Sequence, residues 1–175
     1  MTRIFALPLC AITLAGCSTL GSPAIERVGE SGLSFANGVP AGTAQLLSDG
    51  ATLSLALAAT GLGPGEHGFH LHTIGKCEAP GFTSAGGHLN PSDREHGSLN
   101  PKGKHLGDLP NLVVGASRTA SVEIDIGPDT AGLRDQLFDA DGTAIVIHAE
   151  ADDYVSDPAG DAGSRIACGV LRPAS

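Results

Sequence analysis

Two histidines stand two residues apart, at His70 and His72, and their spacing is the first chemical signal in the sequence. In an extended strand, residues i and i+2 point to the same face, so both imidazoles can bind one metal ion. The pair alone is weak evidence, because the same spacing occurs by chance and in zinc hydrolases. More donors are needed before a site can be predicted.

The stretch from Thr73 to Asn111 contains such donors. It is rich in Gly, Pro, His and Asp and far exceeds the usual connection of about 4 to 6 residues, so it is expected to be functional or disordered. Its donors are His88, His96, His105 and Asp108. Three imidazoles and one carboxylate form a closed tetrahedral set suited to a structural Zn²⁺, with no position left for water. Such an ion would hold the stretch in place.

The last two histidines receive different interpretations. His148 ends an apolar segment, where an imidazole is costly to bury without a partner, and a metal ion is a suitable partner. A lone histidine is usually a surface residue or a hydrogen-bonded core residue. Six histidines concentrated in one long loop and its flanking strands favour a metal site instead. His67 has no such support, and we predict that it lies on the surface.

Alternating apolar and polar residues predict the elements that must position these side chains. The alternation has the period of two typical of strands, in residues 43–47, 52–57, 121–126 and 143–148. Turn signals separate these segments, and residues 133–138 could form one helical turn or a further strand. The sequence therefore predicts an all-β fold, an antiparallel sandwich or barrel, with irregular stretches at 73–111 and 152–164.

The composition excludes several classes of protein. The 175 residues suffice for one domain, and a hydrophobic content of 41% is too high for a disordered chain. A net charge of -9 repels phosphate backbones, and the few aromatic residues, with no Trp, offer little stacking surface for bases. We therefore expect no nucleic-acid partner.

The first residues have the pattern of an export signal. One charge at Arg3 precedes an apolar run over residues 4–15, which is too short to span a bilayer. Residues 14–17 resemble the bacterial lipobox, in which the cysteine is lipidated and becomes the first residue of the mature protein. We predict a lipoprotein signal peptide at 1–16 and lipidation of Cys17; a plain secretory signal is the alternative.

This processing would leave a tether at residues 17–26 and a folded domain at 27–175. The predicted location is the periplasm, and we expect the lipid anchor in the outer membrane rather than in the inner membrane. Cys77 and Cys168 would be the cysteines of the folded part. In an exported protein they suggest one disulfide rather than two free thiols, closing a loop of about 90 residues and contributing on the order of 4 kcal/mol.

The motifs together resemble the copper/zinc superoxide dismutases, over residues 24–172. The matching segments are Gly68–His72, Gly86–Pro91, His96, His105–Asp108, His148 and Gly163–Val170. The position of Cys77, five residues after His72, is similar to the bacterial periplasmic branch. The resemblance implies a Greek-key β-sandwich or flattened barrel with two long functional loops.

The resemblance also implies two metal sites that share one ligand. The implied copper ligands are His70, His72, His88 and His148. The implied zinc ligands are His88, His96, His105 and Asp108, so that His88 bridges the ions as an imidazolate. Asp152 matches a carboxylate that links a copper-ligand to a zinc-ligand histidine, Arg165 matches an arginine beside the copper, and the two cysteines match the family disulfide.

The implied reaction is the dismutation of superoxide to O₂ and H₂O₂. Copper would cycle between Cu²⁺ and Cu⁺, His88 would supply one proton, Arg165 would attract the anion, and zinc would be structural. Removal of residues 1–16 leaves nine basic and 19 acidic residues, so superoxide needs a locally positive channel. Lys102 and Lys104 are the candidates for it, with ordinary solvated surface charge as the alternative.

Several features depart from the eukaryotic pattern. Gly87 and Leu89 replace a proline and a phenylalanine, and residues 152–161 are short and acidic. The oligomeric state, monomer or dimer, is therefore left open. The leading hypothesis is a lipid-anchored superoxide dismutase that protects the cell envelope. The alternative is a non-catalytic copper- or zinc-binding envelope lipoprotein; a zinc hydrolase would need fewer histidines than the chain has.

Overall fold

A computed structural model describes residues 24–175, which form nine strands, one α-helix and one 3₁₀ turn. The strands are β1 (Glu26–Phe35), β2 (Pro40–Ser48), β3 (Thr52–Thr60), β4 (Gly65–His67), β5 (Phe69–His72), β6 (Leu112–Val114), β7 (Thr119–Pro128), β8 (Thr143–His148) and β9 (Arg165–Pro173). The helix α1 spans Ala131–Leu137, and the 3₁₀ turn spans Thr83–Ala85. The predicted signal peptide and Cys17 lie outside the described residues.

The strands confirm the all-β prediction. One antiparallel sheet has the order β5-β8-β9-β1-β2-β3-β7, and β4 pairs with β6 in a second sheet. β9 returns along β1, and β8 lies beside β5, so neighbours in space are distant in sequence, as in a Greek-key sandwich. Within the described residues no helix is long and apolar enough to cross a bilayer.

Alternation of side chains explains most strands. In β3, Leu53, Leu55 and Leu57 point into the core and are at most 1% exposed, while the residues between them are more accessible. β1 was not predicted, because its Gly- and Ser-containing sequence alternates weakly. It forms because β2 and β9 supply backbone partners along its two edges.

All six residues of β8 are buried, as are all four residues of β5. Ile145 and Ile147 face the main core. On the opposite face, Ala144 and Val146 form a second apolar cluster beneath the long loop, together with Phe82, Ala85 and Cys168. The strand that ends in His148 is therefore covered on both faces.

A disulfide confirms the predicted cysteine pair. Cys77 in the long loop and Cys168 in β9 are bonded, with their Cα atoms 5.6 Å apart. The bond attaches the start of the 73–111 loop to the sheet. Because the loop also covers one face of β8, the disulfide stabilises the packing of the loop against the strand that ends in His148.

Residues 133–138 lie mostly in a helix, which resolves the alternative of a turn or a strand. The hydroxyl of Thr130 accepts a hydrogen bond from the Leu133 amide at 3.2 Å and caps the helix N-terminus. Leu133 and Leu137, four residues apart, are buried on one face. α1 thus covers the open end of the core near β7.

Asp129 connects this helix to the sheet. Both of its carboxylate oxygens accept hydrogen bonds from Arg134, at 2.6 and 2.7 Å, and one also accepts from the Ser48 hydroxyl. The Arg134 and Ser48 hydrogen bonds lower the pKa of Asp129 to about 2. The carboxylate therefore stays ionised in all but strong acid.

We expect Asp129→Asn to lower the stability of the fold at pH 7, because it breaks the paired bonds to Arg134. The folded pKa of about 2 lies below the unfolded value of about 3.9, so the carboxylate stabilises the fold above about pH 4. That contribution is lost as the pH falls through about 2. Denaturant unfolding from pH 7 downwards measures the difference, with exposed Asp135→Asn as the control. A difference that stays constant into acid would contradict this explanation.

Candidate metal centre

The long loop returns to β5 on both sides of Leu71, and this pairing brings distant histidines together. The Leu71 amide donates to the Gly107 carbonyl at 3.0 Å, and the Leu71 carbonyl accepts from the Leu89 amide at 2.8 Å. Isolated bridges then place His70 opposite Asp108 and His72 opposite His88. The loop donors therefore meet the H-x-H pair because the loop adds backbone bonds to the strand.

Two sets of donor atoms result, with the atoms of each set within 4.8 Å of one another. The four-histidine group consists of His70, His72, His88 and His148. The mixed group consists of His88, His96, His105 and Asp108. All seven residues are buried, and His88 belongs to both sets. The structure thus brings together every donor that the sequence predicted.

Each ring of the four-histidine group directs one unpaired nitrogen inward. These buried nitrogens, which have no hydrogen-bond partner among residues 24–175, are His70 Nδ1, His72 Nε2, His88 Nε2 and His148 Nε2. An unpartnered buried polar atom is costly, and four in one place are satisfied together by a cation that accepts lone pairs. The donor set therefore fits copper, which binds imidazole nitrogen well.

Oxygen acceptors on the outer side of three rings determine which nitrogen carries the proton. His70 Nε2 donates to Asp152 at 2.8 Å, His72 Nδ1 to the Gly86 carbonyl at 3.0 Å, and His148 Nδ1 to the Gly163 carbonyl at 3.3 Å. Since carbonyl and carboxylate oxygens only accept, the protons sit on the outer nitrogens. The inward nitrogens consequently carry the lone pairs.

Burial and neighbouring histidines keep His72, His88 and His148 neutral. They lower the pKa of His72 to about 2, of His148 to about 3 and of His88 to about 4. In the metal-free protein at neutral pH these three imidazoles are uncharged. They can bind a metal ion without first losing a proton from a cationic ring.

In the mixed group three rings converge on one carboxylate oxygen. The Nδ1 atoms of His88, His96 and His105 lie 2.8, 3.0 and 3.0 Å from Asp108 Oδ1. His105 Nε2 also donates to the Arg94 carbonyl at 3.0 Å, so a neutral His105 directs a lone pair at this oxygen. A cation between them removes the conflict, and three nitrogens with one oxygen suit Zn²⁺.

In the mixed group, hydrogen bonds outweigh burial in determining which side chains are charged. Burial raises the pKa of Asp108, but bonds from His88, His96 and two backbone amides outweigh it and hold that pKa well below the ordinary value. Burial likewise lowers the pKa of His96, but bonds to Asp108 and Asp152 raise it to about 9. A metal ion that binds here at neutral pH therefore displaces a proton from His96.

Asp152 lies between the two groups, where the resemblance placed it. Its Oδ2 accepts from His70 Nε2 at 2.8 Å, and its Oδ1 accepts from His96 Nε2 at 3.0 Å. The residue is buried, and hydrogen bonds from both rings outweigh burial and hold its pKa below the ordinary value. One ionised carboxylate thus orients one ring of each group.

Arg165 begins β9 beside the four-histidine group. Its guanidinium donates to the Phe82 carbonyl at 2.8 Å and to the Gly86 carbonyl at 2.7 Å. Gly86 is also the acceptor for His72, so the arginine and this imidazole share one backbone oxygen. The half-buried guanidinium is held against the loop with other N–H groups left free to bind an anion.

His67 corrects the sequence prediction, since it is buried rather than on the surface. Its Nδ1 lies 2.8 Å from the carbonyl oxygen of His148, and its Nε2 lies 2.9 Å from the carbonyl oxygen of Gly63. No local sequence pattern signals this position, because only folding brings the carbonyl oxygen of His148 to His67. His67 holds the end of β8.

The fold and the site define a β-sandwich metalloprotein with two adjacent donor sets that share one histidine. Residues 41–171 match the copper/zinc superoxide dismutase family, and the chain belongs to that family. A copper/zinc superoxide dismutase of Aquifex aeolicus is 44% identical over 135 residues, covering 75% of this chain and 79% of the relative. One from Caulobacter vibrioides is 44% identical over 122 residues, covering 67% of this chain and 70% of the relative.

A solved structure shows the same architecture. The crystal structure of a SOD-like protein from Bacillus subtilis is 40% identical and superposes with a TM-score of 0.77, covering 85% of this chain and 100% of that chain. The sandwich fold is thereby confirmed. The family match and these relatives identify the chain as a bacterial copper/zinc superoxide dismutase, which is an oxidoreductase. The family uses copper and zinc.

We expect His67→Leu to destabilise the metal-free protein by roughly 1–3 kcal/mol, because it removes the ring N–H that donates to the carbonyl oxygen of His148 or of Gly63. Denaturant unfolding measures the loss. His67→Gln retains an N–H donor and should recover part of it. A leucine variant as stable as the wild type would show that the ring contributes packing alone.

Proposed function

We propose that the four-histidine group binds copper, that the mixed group binds zinc, and that His88 is a ligand shared by both ions in the dismutation of superoxide. The observation that carries this proposal is the set of four buried ring nitrogens that find no partner in the part of the chain that the structure describes. Family membership supports both metals and the substrate. Only a cation satisfies so many inward lone pairs at once.

A copper ion held by the four-histidine group would supply one-electron transfer between two superoxide ions, of which one leaves as O₂ and the other, with two protons, becomes H₂O₂. The protein must supply at least one proton close by. His88 is suited to this role because its Nε2 faces the four-histidine group while its Nδ1 stays 2.8 Å from Asp108. Protonation of Nε2 therefore leaves the contact between Nδ1 and the mixed group in place.

Arg165 provides the positive charge that binds the substrate anion. Its two carbonyl contacts fix the guanidinium beside the ring of His72, and an arginine remains charged at every physiological pH. A non-catalytic metal-binding protein would have no use for this charge. Arg165 is thus the residue that separates the enzyme from a metal buffer.

The two candidate steering lysines differ in their surroundings. Lys102 Nζ pairs with Glu95 at 2.7 Å, which cancels most of its field at a distance. Lys104 Nζ donates to the carbonyl oxygen of Asp108 at 3.1 Å and makes no ion pair with a carboxylate of residues 24–175. We therefore assign the steering role to Lys104 rather than to Lys102.

The cell envelope is the proposed place of action. The disulfide of the folded domain is typical of oxidising compartments, and the predicted signal peptide and lipidated Cys17 would export the chain and anchor it. The substrate would then be superoxide formed at or outside the membrane. Mass spectrometry of membrane fractions for a diacylated Cys17 tests the anchor directly.

Turnover of the metal-loaded protein is the primary test. We expect protein loaded with one copper and one zinc to dismutate superoxide far faster than free copper, and its Cu²⁺ paramagnetic resonance spectrum to be tetragonal with nitrogen couplings. Arg165→Ala should lose most of the rate while keeping both metals, because the side chain contacts no inward nitrogen. Full activity in that variant, or none in the wild type, would refute the proposal.

Steering is tested by a matched pair, Lys104→Gln and Lys102→Gln. Each removes one positive charge, but we expect kcat/KM at low ionic strength to fall by about twofold for Lys104 and less for Lys102. Salt near 1 M should abolish the difference, because the Debye length falls to about 3 Å. Equal effects of the two substitutions would mean that only the net charge matters.

A further inference from the structure

Asn111, the last residue of the long loop, makes a two-point contact with the second irregular stretch. Its Oδ1 accepts from the Asp152 amide at 2.8 Å, and its Nδ2 donates to the Asp152 carbonyl at 2.9 Å. Its own backbone amide donates to the Tyr154 hydroxyl at 2.8 Å. These residues are about 41 positions apart in sequence, so the contact joins two separate loops.

The contact determines where the Asp152 carboxylate lies. Both its amide and its carbonyl are held by one side chain, which leaves its main chain little freedom to rotate. The carboxylate then reaches His70 with one oxygen and His96 with the other, and the Tyr154 amide donates to it at 2.6 Å. A change at Asn111 is therefore transmitted to one ring in each donor group.

Close packing around the carboxylate means that a shift of Asp152 also displaces its neighbours. A Cβ atom at Gly160 would collide with Asp152 Oδ1 and would lie 2.6 Å from His96 Nε2. A Cβ atom at Gly97 would collide with the Tyr154 carbonyl. Both glycines have positive φ, so the two loops approach as closely as a backbone permits. Asn111 lies at the edge of this packed region, where the loop enters β6.

We propose that Asn111 is a positioning residue that couples the copper and zinc sites by holding the main chain of Asp152. This inference rests on the proposed function, because it takes the four-histidine group as the copper site and the mixed group as the zinc site. Without the amide, the carboxylate no longer holds His70 and His96 at a defined separation. Both sites then lose alignment together.

Asn90 offers a matched control in the same loop. Its amide also makes two bonds to one residue, accepting from the Arg94 amide at 3.0 Å and donating to the Arg94 carbonyl at 2.8 Å. Arg94 in turn accepts from His105, which belongs to the mixed group alone. Substitution of Asn90 thus removes the same kind of bonds without reaching any ring of the four-histidine group through Asp152.

The experiment compares the full chain as wild type, Asn111→Leu and Asn90→Leu, each first freed of metal. Zinc affinity is measured by competition with a chelator, and the Cu²⁺ paramagnetic resonance spectrum is recorded with zinc present. We expect Asn111→Leu to weaken zinc binding by about 10- to 100-fold and to change the copper hyperfine coupling. Asn90→Leu should leave the copper spectrum as in the wild type.

The outcomes separate the two proposals. If the wild type fails to bind one copper and one zinc, the proposed function is wrong. If the wild type binds both but Asn111→Leu keeps its zinc affinity and copper spectrum, the coupling role is wrong, even where the melting temperature falls. Asn111→Ser, which is smaller and uncharged, provides the same comparison if the leucine variant does not fold, and a wild-type spectrum there would equally overturn the role.

Discussion

The structure depends on the burial of six imidazole rings whose outer nitrogens are mostly hydrogen-bonded and whose inner nitrogens point at one another. Removing such rings from water is unfavourable unless their polar atoms find partners. Backbone carbonyls and Asp152 accept hydrogen bonds from the outer nitrogens of five rings, which leaves the inner nitrogens to a metal ion once His96 has lost its second proton. A cation satisfies what remains, so the ligand geometry follows from the packing of the outer acceptors.

This requirement explains which ligands come from the sheet and which come from the loop. The sheet supplies three ligands from β5 and the end of β8, which are rigid and covered on both faces. The 73–111 loop supplies the others, and the disulfide attaches its start to β9. His88 can belong to both donor sets because its loop runs beside β5 as an extra, short strand. Rigid elements and an attached loop together give preorganised ligands.

His88 and Asp152 connect the two donor sets by different routes. The His88 ring touches both sets directly, while Asp152 joins His70 to His96 from outside. In the proposed reaction the first route carries the proton, because one nitrogen of His88 faces each set. The second sets the orientation of the rings, and it depends on contacts between two loops that are distant in sequence. Loss of either route would disturb both metals.

Residue chemistry and a period of two suffice to predict, from the sequence, the donor types, the H-x-H pair, the set of three histidines and one aspartate, the disulfide and four of the long strands. The sequence patterns alone misplaced His67 and left β1 unrecognised, and they treated Lys102 and Lys104 alike. Tertiary structure decided these cases, since each depends on a partner that local patterns do not encode: the His148 carbonyl, the edges of β2 and β9, and the Glu95 carboxylate. The role of Asn111 cannot be predicted from the sequence for the same reason. An amide side chain acquires such a role only from the backbone that folding places opposite it.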